Sequence, residues 1–367
     1  VTCIDFHLFI KSKHLIFHDT AKTLAFAPMN PLQNLLDPAI LFFVFGVVAG
    51  LLRSNLEVPP QIARFLSLYL LMSVGLKGGF SLAHSGLGAD VLGSLGAALL
   101  LALLVPALGY VLLRKWLSRF DAAAVAATYG SVSATTFIAA SQYLAQQQVP
   151  FGGHMAVALV LMESPAILMA MALAAWARRQ QVGEQGAPLL PHGGVPSGAG
   201  AASPSHWHVV REAFTDGANL LLLGSLLIGW MTGDQGKLMM EPFSGALFKG
   251  MLALFLLDLG LLVARQLPEL RKVHPALIGY GIVGPLVHGL IAMGLAALLG
   301  LPAGDTILLV VLAASASYIV VPAVLRHAMP EARPGLYLGL SLGVTFVFNI
   351  LVGIPLYTWV VQQVWSV

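Results

Sequence analysis

Charge is what this sequence has least of. Only 10% of its 367 residues are Asp, Glu, Lys or Arg, against about 25% in soluble globular chains. So sparse a charged surface cannot keep a chain of this size in water, which excludes a lipid-anchored cytosolic enzyme and an intrinsically disordered protein. There is one cysteine, Cys3, so no disulfide can form within the chain and a secreted disulfide scaffold is excluded. None of the eleven histidines stands in a metal-ligand motif such as H-E-x-x-H, and no structural zinc is expected. The apolar segments carry no nucleophile, base and orienting group in combination, so the chain does not read as an enzyme. An intramembrane aspartyl protease would need two facing aspartates, and Asp258 is the only one well inside an apolar segment.

What is present is apolar. Hydrophobic residues make up 58% of the chain and glycine contributes 38 residues, with a mean hydropathy of +0.85. A membrane-spanning helix needs about 20 mostly apolar residues. Ten stretches qualify if short or broken helices are admitted: 37–52, 62–76, 91–113, 121–144, 153–176, 213–231, 246–264, 275–300, 306–326 and 335–361. One long polar interruption, 177–208, is rich in Gly, Pro, Ser and Gln and reads as a flexible linker between two sets of five spans. The expected organisation is therefore a leader over 1–28 with little structural role, a first five-helix repeat over 29–176, the linker, and a second repeat over 209–367. The net charge of +3 says more about membrane topology than about nucleic acid, which is not expected as a partner. Of the 19 Lys and Arg, 13 fall on alternate loops that include Arg53, Arg114, Arg178, Arg271 and Arg333. The positive-inside rule places those loops and the linker in the cytoplasm and both termini outside.

The two halves can be superimposed without gaps at their ends. Asp121 and Asp305 are each followed at the same distance by Ser-x-Ser, Ser131-Val132-Ser133 and Ser315-Ala316-Ser317, an offset of 184 residues. Gly153 and Gly335, offset by 182, place Glu163 opposite Thr345. Five spans per half turns the second copy upside down. The predicted fold class is an all-α integral membrane protein of ten transmembrane helices in a 5+5 inverted repeat, with two broken helices meeting at the midplane. Transporters of this construction bind substrate and ion at the repeat interface.

The fourth span, AATYGSVSATTFIAAS, and the ninth, AASASYIVVPAV, carry hydroxyls, Gly130 and Pro322 in apolar surroundings. Backbone N–H groups freed at such breaks, with a helix dipole behind them, suit a small anion. Hydroxyls in membrane helices also bond back to their own helix, but two clusters at equivalent repeat positions favour a site. Glu163 lies mid-span beside Pro165, where a carboxylate costs about 2.5–3.5 kcal/mol unless compensated. With Thr345 and Asn349 opposite it, the set suits a hard monovalent cation such as Na+. Asp258 and His288 have no symmetric counterparts and are expected to be structural hydrogen-bonding groups.

These segments, together with GLKGGFSLAHSG at 75–86, GGHMAVALVLMESPAI at 152–167, PLVHGLIAMGL at 285–295 and PEARPGLYLGLSLGVTFVFNILVGIPLY at 330–357, resemble the sodium-dependent bicarbonate transporters first described in cyanobacteria. The resemblance runs from Met29 to the C-terminus apart from the linker. It implies a homotrimer in the bacterial inner membrane, elevator-like movement of a substrate domain against a fixed scaffold, no cofactor beyond Na+ as coupling ion, and regulation in some members by a cytoplasmic PII-like protein. It also implies bicarbonate lined by Ser131, Ser133, Thr135 and Thr136 from the first half and by Ser315, Ser317 and Tyr318 from the second, with Na+ near Glu163, Thr345 and Asn349. Ala134 and Ala316 stand where members often have Gly or Ser. Val347 stands where the family pattern has a proline, which implies a tenth helix less broken than in its relatives. The leading function is Na+-coupled uptake of bicarbonate, the alternative Na+-coupled uptake of another small anion such as a short carboxylate. A channel would need a continuous polar lining that the pattern does not provide.

Overall fold

The computed structural model describes residues 36–85, 88–184, 217–271 and 273–365. The leader and residues 185–208 of the expected linker lie outside that set. The described residues are all-helical, without a strand. In chain order the helices are α1 (Pro38–Leu51), α2 (Pro60–Ser85), α3 (Ala89–Leu113), α4 (Arg119–Gly130), α5 (Ala134–Gln146), α6 (Met155–Glu184), α7 (Gly217–Met240), α8 (Phe248–Leu270), α9 (Pro275–Leu299), α10 (Ala303–Ala313), α11 (Val320–Ala328), α12 (Pro334–Leu338) and α13 (Ile354–Val364). Among the described residues six segments are long and apolar enough to cross a membrane, and α1 and α10 are shorter apolar helices. Helix α6 runs to Glu184, eight residues past the expected end of its span at 176, because Arg178 is anchored to Glu331 through Nε at 2.9 Å and donates to the Ala328 carbonyl.

Local sequence sets the helix starts. Asp37 caps α1 by accepting from the Ala39 N–H, with Pro38 in the first turn. Ser118 accepts from the Asp121 N–H at 3.1 Å while its hydroxyl donates to the Asp121 carboxylate at 3.0 Å, a variant of the capping box. Helix α9 ends at Gly300, whose φ of 64° is the left-handed conformation glycine supplies cheaply.

Small residues decide the packing. Helix α1 lies on α8 and α2 lies on α7, each through a small-xxx-small pair on both partners: Gly46 and Gly50 against Gly260 and Ala264, and Gly75 and Gly79 against Ser225 and Gly229. A Cβ on Gly46 would stand 2.3 Å from the Leu257 carbonyl oxygen, and one on Gly79 2.1 Å from that of Leu226. Such backbone approach is how helices associate where no hydrophobic effect drives them together. The other helices form a second set: α3 with α4 and α6, α9 with α10, α10 with α5 and α13, and α6 with α11. Within it α4 and α10 are covered on every side, from Phe120 to Gly130 and from Gly304 to Ala313. Irregular backbone at the ends of α4 and α10 is thereby shielded by protein rather than presented to lipid.

Candidate substrate and cation site

Helix α4 stops at Gly130, which meets the ring of Pro106 on α3 so closely that a Cβ there would be 2.5 Å from Pro106 Cγ. Ser131 is extended, with φ −92° and ψ 176°. Ser133 restarts the chain as the cap of α5, its hydroxyl accepting from the Thr136 N–H at 3.2 Å and its carbonyl from the Phe137 N–H at 3.0 Å. The second interruption lies between α10 and α11. The Ser315 N–H and hydroxyl both turn back to the Leu312 carbonyl, at 3.2 and 2.8 Å. Ser317 Oγ accepts from the Val321 N–H at 3.4 Å, and Pro322 offers no N–H to the first turn of α11.

The two interruptions cross. The Ser133 N–H donates to Ser315 Oγ at 3.0 Å, the Ser317 N–H donates to the Thr128 carbonyl at 2.8 Å, and the Tyr318 hydroxyl donates to Thr135 Oγ1 at 2.7 Å. The arrangement is not symmetric in its side chains. Ser315 Oγ is doubly engaged, whereas Ser131 Oγ, its counterpart by sequence offset, is buried and has no hydrogen-bond partner among the described residues. Thr135 and Thr136 are buried beside it, and Tyr318 is half-buried. Asp258 on α8 lies within Coulombic range of Tyr318. At the start of α5 the N–H groups of Ala134 and Thr135 are those that a helix leaves without an intrahelical acceptor, and they point the positive end of its dipole at the interruption.

Helices α12 and α13 belong to one continuous helical run, Pro334–Val364, widened into π-helical turns over Gly339–Phe346 and Asn349–Gly353. The run is not broken, in keeping with Val347 in place of proline. Both of its expected site residues are wholly buried, and each serves a different interruption. Thr345 donates to the Gly281 carbonyl at 2.7 Å and shares a 2.6 Å hydrogen bond with the Tyr129 hydroxyl in the last turn of α4. Asn349 donates to the Ala314 carbonyl at the end of α10, at 2.8 Å, and accepts from the Tyr357 hydroxyl at 3.1 Å. Glu163 is buried in α6, two residues before Pro165. The bonds described for Thr345 and Asn349 go to these other groups and not to Glu163. The structure therefore gathers the seven expected anion residues around one crossing and ties Thr345 and Asn349 to its two sides.

Sequence reasoning missed several residues that hold the crossing. Tyr129 and Tyr357 orient Thr345 and Asn349; both stand in motifs already singled out, so their positions one residue before Gly130 and eight after Asn349 were the available signal. Asp121 and Asp305 serve as more than alignment anchors. Asp121, in the first turn of α4, accepts from the Arg333 N–H and Nε at 2.9 and 3.0 Å. Asp305, in the first turn of α10, accepts from the Gly152 N–H at 2.5 Å and faces His154 Nε2 at 3.4 Å. His288 differs from expectation: it sits in an aromatic cluster with Tyr129 and Tyr280, ring centroids 6.2 and 6.3 Å away, and its Nδ1 has no hydrogen-bond partner among the described residues.

The profile of the Na+-dependent bicarbonate transporter superfamily matches residues 38–362, from the first residue of α1 into α13. The chain belongs to this superfamily. Membership in the Na+-dependent bicarbonate transporter superfamily agrees with the all-helical architecture of the described residues and with the six candidate membrane spans among them, and places the chain in a family of transporters. No curated protein matches the chain. Both interruptions and every group described around them fall inside the matched region.

Proposed function

We propose that this protein is a secondary active transporter that couples inward movement of Na+ to uptake of bicarbonate across the bacterial inner membrane. Its ten spans form a 5+5 inverted repeat, and the anion binds where the two interrupted helices cross. The observation that carries the reading is the crossing itself: Ser133 and Ser315 lock the two interruptions together, while Ser131 Oγ remains buried without a partner. A buried hydroxyl left unsatisfied costs about 1–3 kcal/mol, a cost that a bound oxyanion removes. The N–H groups of Ala134 and Thr135 and the α5 dipole supply further donors, so a monovalent anion is held without Lys or Arg.

The cation site in this reading draws on the Glu163 carboxylate, Thr345 and Asn349, with the Ala314 carbonyl that accepts from Asn349 as a further oxygen. One Na+ with one bicarbonate moves no net charge, which lowers the cost of carrying both through a low-dielectric barrier. Elevator movement is supported by the division of packing. The pairs α1 with α8 and α2 with α7 form a glycine-clasped scaffold, and the helices that hold the interruptions form the part that travels. The second reading, another small anion such as a short carboxylate, draws on the same donors, because a carboxylate presents the same pair of oxygens. Uptake of labelled bicarbonate into proteoliposomes, with and without an inward Na+ gradient, tests the proposal. Accumulation that requires the gradient and is not competed by formate or acetate supports bicarbonate. Competition by those carboxylates supports the second reading, and uptake indifferent to Na+ overturns both.

A further inference from the structure

Helix α3 carries a stripe of exposed apolar residues that ends abruptly in charge. Leu99, Leu103, Leu108, Val111 and Leu112 are exposed at helical spacing along one face, and the next two exposed residues are Arg114 and Lys115. Val91–Leu113 is long and apolar enough to cross a membrane. A stripe of this kind suits acyl chains, and it puts the two cations at the level where phospholipid head groups begin.

The Arg114 guanidinium is fixed in place. Its Cζ lies 5.7 Å from the centroid of the Tyr110 ring, one turn back, and 5.6 Å from that of Trp176 on α6. The two rings meet edge to face with centroids 5.2 Å apart. Aromatic faces orient a cation but do not neutralise it. The described carboxylates closest in sequence and in the fold are taken by other residues: Asp121 pairs with Arg333 and Glu331 with Arg178, each at 2.9 Å. Neither Arg114 nor Lys115 has a carboxylate partner among the described residues. Arg119, at the start of α4, stands in Coulombic range of the same Tyr110 hydroxyl as Arg114 and adds a further positive charge to this corner. Trp116, next but one to Arg114, and Trp176 are both exposed, and tryptophan settles where apolar chain meets head group.

We propose that Arg114 and Lys115 bind the phosphodiester of an anionic phospholipid, whose acyl chains lie along the exposed leucines of α3 and whose head group is flanked by Trp116 and Trp176. The site is separate from the crossing and does not depend on which anion the protein carries. A guanidinium presents a rigid fork of N–H donors to two phosphate oxygens, and the neighbouring ammonium supplies another donor. Because the rings already hold the fork, little freedom is lost when the phosphate arrives. A soluble phosphate would meet the same cations but make no use of the apolar stripe; a lipid uses both, and that continuity of charge with apolar surface favours the lipid.

The test uses the full chain purified in detergent. Native mass spectrometry with added phosphatidylglycerol or phosphatidylcholine of the same acyl chains should show about fivefold more phosphatidylglycerol retained per protein. The Arg114→Gln, Lys115→Gln variant should lose that preference. The Arg64→Gln, Arg271→Gln variant, which removes the same charge from other exposed positions, should keep it. No loss in the first variant, or an equal loss in both, overturns the site. A second measurement needs no variant and decides the matter if the first one fails to assemble. Modification of Arg114 by phenylglyoxal in the parent, followed by peptide mass spectrometry, should be slowed at least about threefold by phosphatidylglycerol relative to phosphatidylcholine. Protection by inorganic phosphate as strong as that by phosphatidylglycerol would make this a site for soluble anions and overturn the lipid. Absence of protection by phosphatidylglycerol overturns the proposal outright.

Discussion

Ser133 donates its backbone N–H to the hydroxyl of Ser315, 182 residues away in sequence, at 3.0 Å. The reciprocal bond that an exact two-fold would provide, from Ser317 to Ser131, is not made, because the Ser317 N–H goes to the Thr128 carbonyl at 2.8 Å. One departure from symmetry thus separates a serine whose hydroxyl is bonded across the crossing from one whose hydroxyl is buried without a partner among the described residues.

Ser131 and Ser133 should therefore respond differently to the same substitution. Ser131→Ala removes a buried hydroxyl without a partner and should leave the melting temperature unchanged or slightly raised, while raising the KM for the anion about tenfold. Ser133→Ala removes the cap of α5 and should cost about 1 kcal/mol of stability. Thermal unfolding in detergent with uptake in proteoliposomes checks both. Unaltered uptake by Ser131→Ala would remove the anion from the crossing.

Glu163→Gln keeps the size and most of the hydrogen bonding of the side chain but removes its charge. The variant should assemble normally and need at least about tenfold more Na+ for half-maximal uptake, since a mid-span carboxylate is otherwise costly. A Na+ dependence equal to that of the parent would move the cation to Asn349 and the Ala314 carbonyl without the carboxylate.

Gly79→Ala should lower stability by about 1–3 kcal/mol, because the new methyl meets the α7 backbone, 2.1 Å from the Leu226 carbonyl oxygen. Gly96→Ala places its methyl in open space and should be neutral or stabilising by up to about 1 kcal/mol through helix propensity. Melting temperatures of the two variants, compared in one detergent, decide whether close backbone approach holds α2 on α7.

The hydrogen bond from the Arg178 guanidinium holds the Glu331 carboxyl below its ordinary range. A carboxyl whose folded pKa is depressed stabilises the fold above its unfolded pKa of about 4.3, and that stability is lost as the pH falls through the folded value. Both side chains are more than a third exposed, so the contribution is no more than about 1 kcal/mol. Arg178→Gln should destabilise the protein by that amount at pH 7 and by progressively less as the pH falls below the ordinary carboxyl range through the depressed folded value of Glu331. A destabilisation that does not change with pH would assign the role of Arg178 to its bond with the Ala328 carbonyl instead.

The positions of both interruptions were legible in the sequence because Ser-x-Ser recurs at a constant offset in helices that are otherwise apolar. Their partners were not. Whether Asn349 reaches the Ala314 carbonyl depends on which turns of the last helix widen to π, and no residue type announces that. The roles of Asp121 and Asp305 were hidden because a carboxylate in a first turn reads as a dipole partner of its own helix, whereas here each binds the loop before another helix. The end of α6 was misplaced because the expected linker composition begins at Arg178, a residue that is held in the helix by contacts from 150 and 153 residues along the chain.

The clasp between the two interruptions also sets an order of events at birth. When the ribosome has delivered α4 and α5, Ser133 has a cap to give but no acceptor for its own amide, and Asp121 has no Arg333. At about 5–20 residues per second, the hydroxyl of Ser315 follows roughly 10 to 40 s later. Until then the first half sits in the bilayer with an open polar seam. It becomes a finished domain only when the second half closes on it, so the chain stays incomplete at this seam for about half of its synthesis.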